Sequence, residues 1–469
     1  MVAGTGATVT RVAVEIRESG LGNGFPVSLV PVLRIKNKGR GRQGGAVASV
    51  TGQLQGVINL PTTTDPAAAD FPASRVRTRA EAEAYVASVC FKHGPPRLLG
   101  IELEWTVHHS DDPGRTLDAA TLIAALGPHA PRSLVPDSPH RELPNGSVLT
   151  VEPGGQVEIS SLPTTSMRSL FSVVATDAEY VERRLRAAGL VLGEQGTDPW
   201  RYPSRILQVP RYAAMETAFD RIGLDGRLMM CSTAGVQVCL DAGEPDRVAA
   251  RWAALHALGP VMMATFANSP MLFGERTGWV STRTRALLRT DPPRTRPGPI
   301  TVDPAASWAK RVLDTAIVCL RRDDGDWTAP SGISFAEWIH GALPHPPTRD
   351  DLDYHLSTVF PPVRPRGYFE VRYLDAQPGQ DWMLPAGALI ALFRDESTVD
   401  KVLAMTSPAV GRWVHAARHG LLDPALARSA RDVFELACRH LEEEPDSPAG
   451  LAGRLADFVA RRLAAPADR

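Results

Sequence analysis

Two glutamates stand one residue apart in "LLGIELEWTV", Leu98 to Val107. Ile101, Leu103, Trp105 and Val107 fall on one parity; Gly100, Glu102, Glu104 and Thr106 fall on the other. That alternation is the period of a half-buried strand. It sends both carboxylates to one face, about 7 Å apart along the chain. The pattern recurs. "SVLTVEPGGQVEISS" (Ser147–Ser161) places two short runs around a Pro-Gly-Gly turn and carries Glu152, Gln156 and Glu158. "RLMMCSTAGVQVCLD" (Arg227–Asp241) reads as a strand with Val236, Val238 and Leu240 opposite Gln237 and Cys239. "GYFEVRYLD" (Gly367–Asp375) sets Phe369, Val371 and Tyr373 against Glu370 and Arg372.

A single pair of strand glutamates is commonly a solvated face. Several strands turning carboxylates toward one surface repel each other unless a cation sits there. The donors are hard oxygens, and the twelve histidines form no HExxH or HxH. This set suits Mg²⁺, with Mn²⁺ as the substitute, rather than Zn²⁺. Mg²⁺ held by a few carboxylates usually carries substrate phosphates as well, so a nucleotide is a candidate partner. The usual phosphate cradles are missing: there is no GxxxxGK[ST] and no kinase-type glycine loop with its strand lysine. Arginines can take that work, because the guanidinium fork matches phosphate and carboxylate in a bidentate way. "STRTRAL" (Ser281–Leu287) supplies Arg283 and Arg285; "PPVRPRGYFEVRYLD" (Pro361–Asp375) supplies Arg364, Arg366 and Arg372. Arg372 stands out because it shares a strand face with Glu370.

The elements that must position these residues alternate strands with long helical stretches. Thr78 and Glu81 make a capping box ahead of "RAEAEAYVASVC". "TTSMRSLFSVVATDAEYVERRLRAAG" is a long helix ending at Gly189. Further helices are expected from Pro245, with proline at the first helical position, and from about Met383 to the end. "TDPPRTRPGP" (Thr290–Pro299) reads as a proline-rich loop, a candidate lid long enough to close over a site or equally a passive surface loop. Strands with one apolar and one polar face fit an open antiparallel sheet with helices behind it, an α+β arrangement.

Residues 1–74 read differently. "KGRGRQGG" contains a formal G-x-G-x-x-G at Gly39, Gly41 and Gly44, but the glycine-interrupted segment after it does not form the amphipathic helix a dinucleotide site needs. With "PTTTDPAAADFPAS" behind it, this region is expected to be leader and linker, and residues 75–469 a single catalytic domain. The net charge of −1 gives no global field toward nucleic acid or an anionic membrane. No apolar run approaches the ~20 residues of a membrane helix. The five dispersed cysteines contain no CxxC, as expected of a reduced cytoplasm. Only five of the 51 basic residues are lysine, a GC-rich bacterial habit.

Taken in order, "GIELEW", "EPGGQVEIS", "STAGVQVCLD", "FANSP", "STRTRA" and "GYFEVRYLD" resemble glutamate–cysteine ligase, in particular its actinobacterial branch of ergothioneine biosynthesis. The resemblance runs from about Arg77 through Pro385. It implies a glutamine-synthetase-like fold: a curved, mainly antiparallel sheet with helices on its outer face and an open face that binds Mg–ATP. It implies that ATP phosphorylates the γ-carboxylate of L-glutamate and that the amine of L-cysteine attacks the acyl phosphate. By the same resemblance Glu102, Glu104, Glu152, Glu158 and Glu370 hold two or three Mg²⁺ ions. Arg372 stabilises the transferring phosphoryl group, and Arg283 or Arg285 holds glutamate by its α-carboxylate. Gln237 stands where some relatives have a metal-binding histidine, so its expected role is metal ligand or nucleotide contact. Arg364 and Arg366 are candidate phosphate contacts. Three rivals use the same residues: a same-fold ligase with another amine, a Mg²⁺-dependent phosphohydrolase, and a noncatalytic Mg–nucleotide sensor.

Overall fold

The computed structural model describes residues 75–323 and 325–464, so the expected leader and linker, with their glycine motif, lie outside the described residues. In chain order the strands are β1 (Leu99–Trp105), β2 (Val107–His109), β3 (Val148–Val151), β4 (Val157–Ser160) and β5 (Leu190–Leu192). They continue as β6 (Gly235–Leu240), β7 (Met271–Leu272), β8 (Glu275–Arg276), β9 (Val363–Pro365) and β10 (Phe369–Asp375). Six form one sheet in the order β3-β4-β1-β6-β10-β9, and every neighbouring pair is antiparallel. β2 pairs with β5, and β7 with β8, in two small ribbons. The fold is α+β with a six-stranded antiparallel sheet.

One face of the sheet is the core. Ile101, Leu103, Val157, Ile159, Val236, Val238, Phe369 and Val371 are almost fully buried there. The helices Val248–Phe266 and Met167–Ala187 pack against β10 and β1 on that side. Each such side chain contributes about 1.5–3 kcal/mol by leaving water. An acidic residue at Val238, in the central strand β6, would leave an unpaired charge in that layer and break it.

Local signals set most boundaries. Thr78 Oγ1 accepts the Glu81 N–H at 3.1 Å and caps Arg79–Cys90; Glu81 answers by accepting the Arg77 N–H rather than that of Thr78. Ser166 caps Met167–Ala187, and Gly189 follows its end at φ 73°. Three expectations change. Arg227–Asp241 is not one strand: Asp225–Cys231 is a helix and β6 begins at Gly235. A short apolar run such as "RLMMC" fits either period, and packing decided for the helix. Pro245 lies in a turn, and the helix begins at Val248 with Pro260 inside it.

Thr290–Pro299 is not a free loop either. Pro292–Thr295 is a helical turn, and Arg294 is wholly buried. Arg294 donates to the carbonyl and hydroxyl of Thr358 at 2.6 and 2.7 Å, to the carbonyl of Ala316, and to Asp291. A segment pinned through its centre in this way is part of the scaffold, not a lid.

Candidate active site

The sheet face opposite the core gathers most of the predicted residues. Glu104 on β1 lies opposite Glu158 on β4; Glu102 lies opposite Ser160 on one side and Gln237 on the other. Glu104 is buried, and Glu102, Glu152 and Glu158 are half-buried. Glu158 Oε1 accepts the Thr150 hydroxyl at 2.8 Å. Glu152 stands at the mouth of the β3–β4 turn, which is docked with little freedom. A Cβ on Gly154 would lie 2.1 Å from the Cys231 carbonyl oxygen, and Gly155 needs φ 88°. The buried Gln156 amide donates to the carbonyls of Met230 and Thr233 and accepts the Gly154 N–H at 3.0 Å.

Among the described residues none of these four carboxylates makes an ion pair, although Arg372 and Arg364 act on Glu102 and Glu152 from a distance. Burial first, and Glu370 second, push Glu102 up to about 7. Burial and then Glu104 push Glu152 up to about 7. Burial, with Glu102, Glu104 and Glu152 behind it, pushes Glu158 well above the ordinary range. Among the described residues no three acidic, histidine or cysteine side chains converge on one point. Mg²⁺ does not need that many, since one or two carboxylates with phosphate oxygens and waters complete its octahedron. Crowded hard oxygen donors without an ion pair of their own fit such an ion.

The neighbouring part of the face is built the other way. Glu370 on β10 is fully buried and accepts Arg364 Nε and Nη2 at 2.6 and 2.7 Å, a bidentate fork. Arg372 Nη1 donates to Glu370 Oε1 and to Gln237 Oε1. Gln237 Nε2 donates to Glu104 Oε1 at 2.6 Å. The amide of Gln237, a candidate for metal or nucleotide contact, thus has both ends engaged and links the two parts of the face. Burial pushes the Glu370 carboxyl up, but Arg364 and Arg372 outweigh it and hold it at about 2. The carboxylates around Arg372 outweigh its burial and raise its pKa. With three N–H bonds accepted, Glu370 keeps one of its roughly four lone-pair sites for a further partner. Arg364 is committed to Glu370, whereas half-buried Arg366 lies within the fields of Glu370 and Glu102 and makes no ion pair among the described residues.

The two arginines of "STRTR" part company. Arg285 leans toward Asp225 at 3.8 Å. Arg283 is buried, and its Nη2 donates to the Arg372 carbonyl at 2.9 Å. Its Nε and Nη1 have no hydrogen-bond partner among the described residues. Arg283 lines a narrow crevice with Arg372, Thr284, Leu287, Pro361 and Trp413, and these two N–H groups are themselves buried beside it. Gly235 makes room for Arg283, since a Cβ there would lie 2.5 Å from Nη2. The sequence reading missed Asp375, which falls on the apolar parity of its strand. A β-bulge between Val371 and Leu374 carries it across. An acid on the buried parity of a strand end is the signal that could have found it.

Comparisons with known proteins decide the family of the chain. Residues 98–448 match glutamate–cysteine ligase family 2. The chain belongs to this family. It is 36% identical over 393 residues to glutamate–cysteine ligase EgtA of Mycobacterium tuberculosis, covering 82% of this chain and 88% of that one. It is 37% identical over 376 residues to the same enzyme of Mycolicibacterium smegmatis, covering 78% and 85%. It is 29% identical over 334 residues to the chloroplastic glutamate–cysteine ligase of Brassica juncea, covering 66% and 64%. A solved glutamate–cysteine ligase from Francisella tularensis in complex with AMP superposes with TM-score 0.49 at 11% identity, covering 80% of this chain and 83% of that one. All the candidate site residues fall inside the glutamate–cysteine ligase match.

Proposed function

We propose that this chain is an ATP-dependent ligase that joins the γ-carboxylate of L-glutamate to the amine of L-cysteine. It releases γ-glutamylcysteine, ADP and phosphate, and the product feeds ergothioneine biosynthesis. The observation that carries this reading is the one sheet face of a family 2 chain, where Glu102, Glu104 and Glu158 on adjacent strands meet Arg372 two strands away. In this reading the sheet is the curved, open-faced sheet of the glutamine-synthetase-like ligases.

Glu102, Glu104, Glu152 and Glu158 would hold two or three Mg²⁺ ions, with the remaining lone-pair site of Glu370 completing the set. When bound, Mg²⁺ neutralises phosphate charge. A glutamate γ-carboxylate oxygen attacks the γ-phosphorus of ATP, and the bond to the bridging oxygen breaks to release ADP. Arg372 faces the charge on the transferring group; Arg364 keeps Glu370 ionised and Arg372 in line. Such a transfer depends on positioning and charge neutralisation. The cysteine amine then attacks the acyl carbon and loses a proton as phosphate departs. Arg283, which lines the crevice and has two unpartnered N–H groups, is the better candidate for the glutamate α-carboxylate, and Arg366 for a nucleotide phosphate.

The work is assigned to residues 75–469, so a chain lacking residues 2–70 is expected to turn over as the full chain does. All five cysteines are free thiols, which suits the cytoplasm. No described helix is long and apolar enough to cross a membrane. The deciding experiment measures ADP release with Mg–ATP and L-glutamate, with and without L-cysteine, and weighs the product. Cysteine-dependent ADP release with the γ-glutamylcysteine mass supports the reading. Release indifferent to cysteine, or binding of Mg–ATP without turnover, rejects it.

A further inference from the structure

Asp375 ends β10 and is 2% exposed. Its strand partner is Gly235 on β6, and it reaches the arginine side of the sheet only because of the bulge. Val371 lies opposite Val238, but Leu374 lies opposite Val236. One extra residue on β10 therefore flips the alternation between them. Without it, Asp375 would point into the helical core, as its odd parity with Phe369 and Val371 predicts.

The carboxylate then accepts three hydrogen bonds. Oδ2 accepts the Asn268 N–H at 2.8 Å and the Ser269 hydroxyl at 2.7 Å. Oδ1 accepts the Ser281 hydroxyl at 3.0 Å. Each serine passes the contact on. Ser269 Oγ accepts the Arg283 N–H at 3.2 Å, and Ser281 Oγ accepts the Thr284 N–H at 3.1 Å as N-cap of the helix Thr282–Thr290. Two hydroxyl relays thus tie one carboxylate to the first turn of the helix that carries Arg283. A negative charge is also favourable at that end of a helix. Gly196 allows the approach, since a Cβ there would lie 2.7 Å from Asp375 Cβ and Cγ.

We propose that Asp375 is a positioning residue for amino-acid binding: through Ser269 and Ser281 it fixes the start of the Arg283 helix, so that Arg283, with its two unpartnered N–H groups, is held at the crevice it lines with Arg372. The ligand class is the α-carboxylate of an amino acid. The inference rests on the proposed assignment of Arg283 to glutamate. It explains why a strand carrying an active-site arginine is bulged right after it, and why small residues stand at positions 196 and 235.

Asp375→Asn keeps the volume but leaves only one oxygen to accept. It is expected to raise KM for L-glutamate about tenfold, with KM for ATP unchanged and kcat little affected. Ser269→Ala, a milder change, should move KM for glutamate the same way by about threefold. Arg283→Met should raise that KM further, and Asp375→Asn should add nothing in its background. A melting temperature lowered by Asp375→Asn with KM for glutamate unmoved, or equal rises in both KM values, would overturn the positioning role alone. So would full additivity in the double variant. An Arg283→Met enzyme with normal KM for glutamate would sink the Arg283 assignment and this proposal with it.

Discussion

Glu102 on β1 and Glu370 on β10 face the same side of one sheet, with only β6 between them. Both emerge from the same period-2 pattern, and both are crowded by protein. Yet Glu102 is pushed up to about 7 while Glu370 is held at about 2. The difference is the neighbours. Glu370 has the Arg364 fork and Arg372 in direct ion pairs; Glu102 and Glu152 feel the same two arginines without contact, too weakly to outweigh burial, and Glu158 has mainly other glutamates. One side of the face carries its own cations. The other side, in the proposed reading, would take cations that arrive with the substrate. Gln237 sits at the seam, with its carbonyl toward Arg372 and its amine toward Glu104.

The largest test removes the fork from the self-neutralised side. Arg372→Lys keeps the charge, but one ammonium cannot satisfy Glu370, Gln237 and a phosphoryl group together. A loss of about 10²–10³ in kcat is expected, the size seen when one transition-state donor is removed, with KM for ATP nearly unchanged. A change confined to KM would mean that Arg372 only binds nucleotide. Arg364→Leu comes next. It leaves Glu370 buried with Arg372 alone, and should lower stability by about 3 kcal/mol, the low end for breaking a buried pair. Denaturant midpoints would show it. An unchanged midpoint would mean that water reaches Glu370 and that the two sides differ less than the geometry indicates.

How far this contrast is legible in the sequence depends on range. That Glu102 and Glu104 share a face follows from alternation within seven residues, and so does the pairing of Arg372 with Glu370. The pairing of Glu104 with Glu158 is set by strand register across the sheet, which no local period encodes. Arg364 reads as a phosphate contact because "VRPRGYFE" does not announce a hairpin tight enough to fold Arg364 back onto Glu370. Thr290–Pro299 reads as a lid because its prolines and glycine are loop residues. The same prolines can start a helical turn, and the burial of Arg294 is a tertiary event. Asp375 is hidden by its own parity, since a bulge is a departure from the very period used to read the strand. The local half of the site was legible; the half made by register was not.

A smaller effect is expected on the substrate-neutralised side. Glu104→Gln keeps the shape and can still accept from Gln237, but weakens a proposed metal ligand. Turnover should fall about 10- to 100-fold, with the Mg²⁺ concentration for half-maximal rate raised. The metal-free protein should melt no earlier than wild type, because one repelling charge is gone. Unchanged kcat at saturating Mg²⁺ would remove Glu104 from the set, and an earlier melt would mean that its charge is compensated after all.

The smallest effect separates the two sides by the sign of their pH dependence, with metal removed by a chelator. Glu152 titrates near 7 when folded and near 4.5 when unfolded. Between those values the folded state holds more protons, so this group costs stability as pH rises. Glu370, held at about 2, does the opposite: its contribution is complete above 4.5 and is lost as pH falls toward 2. His256 and His355, which burial holds at about 4 and about 3, also favour higher pH, so the raw curve mixes signs. The clean readout is the difference in melting temperature between wild type and Glu152→Gln. The variant should gain on wild type by about 2 °C as pH rises from 5 to 8, and saturating Mg²⁺ should shrink the gap. A gap independent of pH would mean that Glu152 is not short of counter-charge, and the contrast with Glu370 would reduce to the arginines alone.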